Sequence, residues 1–164
     1  MLQRYLWSKL NTQQVGAYTE YFVKMELTMY GFQVFETEVD DRGIDFIARY
    51  ETGPFLQIQV KSLRSLGYVF MPKMKFSVDE STYLAFGLLV EGHAPDLYLI
   101  PATRWRDRDS LFVDYDYKGL KSKPEYGLSL SVKKLPALAP YAFATTVERL
   151  VREGGGTDSK SLHP

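Results

Sequence analysis

Three polar side chains in an otherwise apolar part of the sequence have types and spacing suited to chemistry: Asp45, Gln59 and Lys61. Side chains alternate between the two faces of a strand, so Gln59 and Lys61 point to the same side of a strand predicted for residues 55–62. Asp45 lies among apolar neighbours in a strand predicted for residues 44–50, where an isolated carboxylate is costly to bury without a partner. Lys61 and a metal ion are both candidate partners.

The turn sequence ETGP separates these two strands and predicts an antiparallel hairpin. If the hairpin paired the residues that flank an even-length turn, Asp45 would lie opposite Val60 and would face away from Gln59. We therefore predict an odd-length loop or a β-bulge near Asp45, because bulges re-aim side chains beside active sites.

The segments GIDFIARY and LQIQVKS together resemble the PD-(D/E)XK nuclease superfamily, and specifically its D…QxK branch of Mrr-like enzymes and related domains of unknown function. The upstream sequence, GAYTE followed by an apolar run and YGF, resembles the family's first helix, which brings a glutamate to the site. Matched position by position, the helix glutamate is Glu20, the motif aspartate is Asp45, the (D/E) position is Gln59 and the lysine is Lys61. The resemblance covers residues 12–100.

The resemblance implies an endonuclease that uses Mg²⁺ or Mn²⁺ to hydrolyse DNA phosphodiester bonds, in a restriction, defence or repair role. Such a metal acts as a Lewis acid and activates bound water, and Mg²⁺ takes oxygen ligands. The implied ligands are Asp45, Glu20, the amide oxygen of Gln59 and the backbone carbonyl of Val60. Lys61 would hold the attacking water or stabilise developing negative charge.

Two positions depart from the pattern in the family's name. Ile44 stands in place of the proline, a change that the family tolerates. Gln59 replaces a carboxylate with a neutral amide, which removes one negative charge and should weaken Mg²⁺ binding, although glutamine is the expected residue in the QxK branch. A second function is therefore open: a catalytically weak or inactive nuclease-fold module that binds nucleic acid or a protein partner. A third is an interaction protein with no nuclease ancestry.

Each candidate residue also has a purely structural interpretation. Glu20 could pair with Lys24 one helical turn later, a contact worth about 0.3 kcal/mol. Asp45 could cap the turn DDRG. Gln59 and Lys61 could belong to the wet face of an antiparallel strand. The structural interpretation suffices for any one of these residues, whereas the four together favour the nuclease interpretation.

Several basic residues are candidate phosphate contacts. Lys73 and Lys75 alternate on a possible strand near the site, and Arg64 follows the QxK strand. The same role is open to the loop residues Lys118, Lys121 and Lys123. The arginines of RWRDRD are interleaved with aspartates, which favours a solvated loop for Arg104, Arg106 and Arg108.

Composition narrows the classes of function. The net charge is +0, whereas a purely electrostatic nucleic-acid binder is usually basic, so phosphate contacts must come from local patches or metal ions. The absence of cysteine excludes disulfides, thiol nucleophiles and cysteine zinc sites. No apolar run is long enough to span a bilayer, and the N-terminal sequence does not resemble a secretory signal. We predict a cytoplasmic protein with no membrane partner and no organic cofactor.

Hydrophobic periodicity predicts a helix, a series of strands and a closing helix. The first helix, at residues 12–30, carries one apolar stripe with Met25 and Met29 and a second with Val23 and Leu27, so we expect both of its sides to be covered. The predicted strands span residues 32–38, 44–50, 55–62, 68–76, 83–90, 97–101, 110–116 and 126–132, and the closing helix spans residues 142–153. The strand at 83–90 is almost entirely apolar, which predicts an interior position in the sheet.

These elements predict one α/β domain at residues 1–152 and a flexible tail at residues 153–164. The expected architecture is the restriction-endonuclease-like fold, with a mixed central β-sheet flanked by helices. DNA is the implied partner, and members of the family often form homodimers.

Overall fold

The computed structural model describes residues 4–38 and 42–155. The last helix continues to Gly154, so the predicted tail begins too early at residue 153. The remainder of that tail, from residue 156, and part of the DDRG turn lie outside the described residues.

Helix α1 spans Thr12–Met29 and begins with a reciprocal cap. The Asn11 side chain accepts a hydrogen bond from the Gln14 backbone N–H at 2.8 Å, and the Gln14 side chain accepts one from the Asn11 N–H at 2.9 Å. The buried stripe of the helix follows the spacing i, i+4 through Val15, Thr19, Val23 and Leu27.

The prediction that α1 is covered on both sides is wrong. Met25 is 55% exposed and Met29 is 83% exposed. In the described part of the chain α1 packs mainly against strands β1 (Phe32–Glu36) and β3 (Leu56–Leu63). Trp7 covers only the first turns of the other side, through Val15 and Tyr18. The later turns therefore bury only one stripe.

The strands form two sheets. The first sheet has the order β1-β2-β3-β5-β6, with β3 parallel to β5 and the other neighbours antiparallel. The second sheet is antiparallel, with the order β4-β8-β7. The strands other than β1 and β3 are β2 (Phe46–Tyr50), β4 (Tyr68–Pro72), β5 (Thr82–Leu88), β6 (Asp96–Pro101), β7 (Phe112–Tyr115) and β8 (Glu125–Ser129).

Strand β4 is shorter than the predicted strand at 68–76. It ends at Pro72, and a 3-10 turn, Lys73–Lys75, follows. Proline has no N–H to donate to a ladder and is therefore confined to strand ends, edges and bulges.

The five-stranded sheet is covered differently on its two faces. Helices α1 and α2 (Phe143–Gly154) pack on one face, where Val23, Leu27 and Val147 contact Phe46 and Ile58 of the sheet within one apolar core. The three-stranded sheet covers the other face through a separate core. That second core includes Val69, Met71, Leu84, Phe86, Phe112 and Leu128.

Strand β5 is buried along its whole length between β3 and β6, which confirms the prediction of an interior strand. The mixed central sheet is also confirmed. The flanking helices are confirmed as well: α1 and α2 lie together on one face of the sheet, and the three-stranded sheet covers the other. No helix in the part of the chain that the structure describes is sufficiently long and apolar to cross a membrane.

Candidate active site

Asp45 lies just before β2, where the pairing between β2 and β3 becomes irregular. Ile58 is the register partner of Phe46, yet the carbonyl of Ile58 also accepts the backbone N–H of Asp45 at 2.9 Å. Two consecutive residues therefore face one residue, as in a β-bulge. The register, which pairs Ala48 with Leu56, also gives an odd-length loop at residues 51–53. The predicted irregularity near Asp45 is thus confirmed.

The bulge directs the Asp45 carboxylate at the backbone of β3. Its Oδ2 atom accepts the N–H of Val60 at 2.6 Å, so a side chain takes the place of the next ladder acceptor. In a β-strand, the N–H and the C=O of one residue point toward the same neighbouring strand. The backbone of Val60 therefore faces Asp45 rather than β5, which brings the Val60 carbonyl to the same side of β3 as the carboxylate.

Gln59 is the buried polar residue at the centre of the site. It is 7% exposed, and its Oε1 atom is buried without a hydrogen-bond partner in the described residues. The side chain lines a pocket of about 190 Å³ together with Gln57, Thr82 and Lys75. An unsatisfied buried acceptor is costly, and such atoms require an explanation such as a catalytic role or a bound ion.

Thr82 was not predicted from the sequence, although its side chain lines this pocket and its backbone N–H donates to the Asp79 carboxylate at 2.9 Å. Thr82 lies at the start of β5 and is the parallel register partner of Gln57. No local sequence pattern predicts a place for Thr82 at the site. It lies beside Gln57 only because β3 and β5, which are distant in the sequence, pair with each other.

Lys61 follows Gln59 on the same face of β3 and is half-buried. It has no hydrogen-bond or ion-pair partner among residues 4–38 and 42–155. Lys75 lines the pocket from the 3-10 turn after β4. Gly43 permits this approach, since a Cβ at Gly43 would lie 2.8 Å from the backbone oxygen of Lys75, and the φ of Gly43 is +74°.

Glu20 forms part of a separate ionic cluster on α1. The Lys24 ammonium donates to Glu20 at 2.7 Å and to Glu36 at 2.9 Å, and it lies over the ring of Phe46. Burial alone would lower the pKa of Lys24, but these hydrogen bonds outweigh burial and raise it. The structural pairing of Glu20 with Lys24 is therefore present, and the link from Lys24 to Glu36 was not anticipated.

The candidate residues divide between the two sides of the five-stranded sheet. Ile58 and Val60 pack into the core beneath α1, so the alternation of β3 turns Gln59 and Lys61 toward the opposite face. The described contacts connect Asp45 with β3, whereas they connect Glu20 only with Lys24. Phe46 joins the two groups, because it follows Asp45 in sequence and its ring lies beneath Lys24.

The other basic candidates are largely occupied by intramolecular contacts. Lys73 donates to Asp114 at 2.7 Å and to Asp116 at 2.8 Å, and Arg64 donates to the carbonyls of Trp7 and Leu10. The arginines of RWRDRD pair with acids: Arg104 with Asp109, Arg106 with Glu80, and Arg108 with Asp114. Only Asp109 is one of the interleaved aspartates, and residues Ala102–Arg106 form a 3-10 helix instead of the predicted solvated loop. Of the predicted phosphate contacts near the site, Lys75 alone combines exposure with a place in the pocket among the described residues.

The described residues contain no cluster of three His, Cys, Asp or Glu side chains that could hold a metal ion. A site that uses fewer carboxylates is compatible with Mg²⁺, which keeps several water ligands and needs only one or two carboxylates. The candidate donors are the Asp45 carboxylate, the unsatisfied Gln59 Oε1 atom and the Val60 carbonyl, and of these three residues only Gln59 lines the pocket. All are oxygen donors, so they fit a hard divalent cation.

Comparison with known proteins gives structural relatives only. No family model and no curated protein matches the sequence. A Holliday junction resolvase, Hjc, from Archaeoglobus fulgidus has a similar structure, with a TM-score of 0.52 and 15% identity over 81% of this chain and 95% of that one. The bacterial homing endonuclease I-Ssp6803I is also similar, with a TM-score of 0.54 and 15% identity over 92% of this chain and 99% of that one.

Both solved structures have restriction-endonuclease-like folds of the PD-(D/E)XK type. The present chain therefore has a restriction-endonuclease-like fold, and the predicted fold class is confirmed.

Proposed function

We propose that this protein is a metal-dependent endonuclease that hydrolyses DNA phosphodiester bonds at the pocket beside Asp45 and Gln59. The observation that carries the proposal is the buried, unsatisfied Gln59 Oε1 atom in a polar pocket of a nuclease fold. The β-bulge supports it, because it aims the Asp45 carboxylate at the residue between Gln59 and Lys61.

The residues that would hold Mg²⁺ or Mn²⁺ are Asp45, Gln59 and the carbonyl of Val60. When bound, the cation would supply charge stabilisation on the phosphate and a more acidic water. Gln59 contributes an oxygen without a charge, so Asp45 supplies most of the negative charge, and weak affinity for the cation is expected. The hydrogen bond from Val60 fixes the orientation of the Asp45 carboxylate before any ligand binds.

Lys61 is assigned to the developing negative charge. It projects from the same face of β3 as Gln59 and has no intramolecular counter-ion in the described residues, so its ammonium is available to a phosphate oxygen or to the attacking water. A cation beside the phosphate stabilises the negative charge that develops in the transition state. Lys75, which lines the pocket, would contact the phosphate backbone.

Glu20 is proposed as a further oxygen donor to the cation, which it would reach around the N-terminal end of β2. Lys24 holds its carboxylate on the helix side of the sheet, so Glu20 would act through a water molecule rather than by direct ligation. Glu36 binds the same lysine and has no place in the motif, which makes it a natural control for the role of Glu20.

The decisive measurement is cleavage of plasmid and branched DNA in Mg²⁺ or Mn²⁺ by the wild-type protein and by Lys61→Ala. We expect metal-dependent cleavage by the wild type and a loss of about 10²- to 10³-fold in Lys61→Ala, the range for removal of one donor that stabilises developing charge. Lys133→Ala removes an exposed lysine elsewhere and should cleave normally. An equal loss in both variants would contradict the assignment of Lys61.

Two further variants separate chemistry from folding in the same assay. Asp45→Asn keeps an acceptor for the Val60 N–H but removes the charge, so it should remain folded while cleavage and metal binding are lost. Glu20→Gln should reduce cleavage more than Glu36→Gln. Equal effects of these two substitutions would mean that Glu20 only anchors Lys24.

The second candidate function is a catalytically weak or inactive module that binds nucleic acid or a protein partner. The engagement of the Glu20 carboxylate with Lys24 and the neutral Gln59 favour it, since both reduce the negative charge available to a cation. Wild-type protein that binds DNA but shows no cleavage in either metal would establish this alternative.

A further inference from the structure

The outer face of the three-stranded sheet carries exposed aromatic side chains. Val69 and Met71 of β4 point into the core, so Tyr68 and Phe70 point outward, and Phe70 is 50% exposed. Tyr115 of β7 is 45% exposed. Neighbouring exposed aromatic side chains on one sheet face are a feature of interaction sites.

The rings form a continuous row, which we call the aromatic face: Tyr68, Phe70, Tyr115 and Tyr117. The centroids of Tyr68 and Phe70 are 6.4 Å apart in a stacked pair, and Tyr68 meets Tyr115 edge-on at the same distance. Tyr115 and Tyr117 are stacked at 5.6 Å. The row therefore spans the sheet from β4 to the loop after β7.

Two kinds of contact hold Tyr68 and Tyr117 of the aromatic face in place. Tyr68 lies directly on Gly127 of β8, where an added Cβ would be 2.3 Å from the tyrosine ring. The hydroxyls of Tyr68 and Tyr117 both donate to Oε1 of Glu125, at 2.8 Å and 2.6 Å. Burial and the hydrogen bond to Glu125 raise the pKa of Tyr68. Rings ordered in this way lose little conformational entropy when a ligand binds.

The loop between β7 and β8 adds positive charge beside the aromatic face. Lys118, Lys121 and Lys123 are exposed and have no ion-pair partner within the described ranges. The nearby carboxylates are already engaged, since Asp116 pairs with Lys73 and Glu125 accepts the two tyrosine hydroxyls. Three uncompensated cations thus border the rings in a chain of zero net charge.

We propose that the aromatic face and this lysine loop bind single-stranded nucleic acid. Unpaired bases would stack on Phe70 and Tyr115, and the lysines would contact the phosphates, which is how proteins bind single strands without reading sequence. A second copy of the chain could also cover the rings. Its carboxylates on this face would already be engaged, however, so it would offer no anionic partner to the lysine loop. A duplex would supply the phosphates but would keep its bases stacked inside.

The proposal does not depend on cleavage and would hold equally for an inactive module. The aromatic face and the pocket are nevertheless joined by a short segment of the chain, which matters if the pocket cleaves nucleic acid. Strand β4 leads from Phe70 through Pro72 into the turn Lys73–Lys75, and Lys75 lines the pocket. A substrate with an unpaired segment would then be favoured over a continuous duplex.

The test is fluorescence anisotropy in the presence of EDTA, so that binding is measured without cleavage. The probe is a labelled oligothymidylate of about 16 nucleotides, at the upper end of single-strand site sizes, compared with a duplex of equal length. We expect tighter binding of the single strand and a loss of about tenfold in each of Phe70→Ala and Tyr115→Ala, within the range for one stacked base. Tyr21→Ala removes an exposed aromatic from α1 and should bind normally.

The lysine loop is tested by the salt dependence of the same binding. Lys121→Ala/Lys123→Ala should reduce the slope of log affinity against log salt by about 0.7 per lost phosphate contact. Lys9→Ala/Arg152→Ala removes the same charge from exposed positions elsewhere and should leave the slope unchanged. Equal affinity for single strand and duplex, or normal binding by both aromatic variants, would overturn the proposal. A wild-type dimer that Phe70→Ala dissociates would overturn it in favour of an interface between copies.

Discussion

At the scale of single residues, the role of a carboxylate depends on the donors that surround it. Asp45 and Asp114 are both carboxylates in or beside a strand. Asp45 accepts a backbone N–H at an interrupted ladder, whereas Asp114 accepts from Lys73 and Arg108 and serves to join β7 to the turn after β4. Lys73 has the spacing expected of a phosphate contact, yet its ammonium is engaged by two acids.

The ion pairs of Asp114 predict a specific dependence of stability on pH. The hydrogen bonds from Lys73 and then Arg108 lower the pKa of Asp114, so the folded state favours the ionised carboxylate. This stabilisation is fully present above the unfolded pKa of about 3.9 and is lost as the pH falls through the lower folded value. Asp114→Asn should reduce the free energy of unfolding by about 2 kcal/mol at pH 7, and by progressively less below about pH 4.

Urea denaturation of the wild type and Asp114→Asn across this pH range measures the effect. Asp116→Asn is the matched control, because Asp116 pairs with the same lysine but is more exposed and should have a smaller effect. A difference between wild type and Asp114→Asn that persists unchanged at pH 2 would contradict the explanation.

At the scale of elements, close packing between α1 and the sheet sets where the helix lies. Thr19 is fully buried on α1 and its hydroxyl is satisfied by the Val15 carbonyl, which leaves its methyl group to face the sheet. Gly87 of β5 provides the space beneath it, since a Cβ at Gly87 would lie 2.8 Å from the Thr19 methyl. Thr19 of the helix thus approaches β5 at the strand's one residue without a side chain.

Gly87→Ala should therefore separate α1 from β5 and reduce the free energy of unfolding by about 1–3 kcal/mol, the usual cost of overpacking. Gly16→Ala is the control, because nothing lies within 4 Å of the Cβ that it would add to the same helix. That substitution should stabilise the protein by about 1 kcal/mol through helix propensity alone. Chemical denaturation measures both, and a neutral Gly87→Ala would show that the helix has room to shift.

At the scale of the whole molecule, the two main cores share one sheet. Alternate residues of β5 supply Tyr83 and Ala85 to the core beneath the helices and Leu84 and Phe86 to the core beneath the three-stranded sheet. Loss of either core would expose one side of a fully buried strand. The two layers are therefore expected to unfold together.

The two tryptophans report on separate regions and can test this cooperativity. Trp7 packs with Val15 and Leu89 in a third, smaller cluster, and Trp105 lies in the core between the sheets. In the single-tryptophan variants Trp7→Phe and Trp105→Phe, the midpoint of unfolding by fluorescence should coincide with that by far-ultraviolet circular dichroism, as in a two-state transition. Separate midpoints within one variant would show that the layers unfold independently.

The sequence by itself determined the features that depend on local backbone geometry. Strand alternation placed Gln59 and Lys61 on one face, and the length of the ETGP turn predicted the irregular pairing at Asp45. The apolar run at 83–90 predicted an interior strand. These features could be predicted because period-2 alternation and turn length are set by neighbouring residues. The restriction-endonuclease-like fold was likewise predicted from short segments.

Only the tertiary structure decided which layer covers each face. The three-stranded sheet, the exposure of Met25 and Met29 and the pairing of Lys24 with Glu36 each depend on segments that are distant in the sequence. The alternation of β3 gives Gln59 and Lys61 a common face, but it contains no information about the side on which α1 packs. That choice follows from the burial of apolar area between whole elements, which is non-directional and is summed over many residues, so no single motif specifies it.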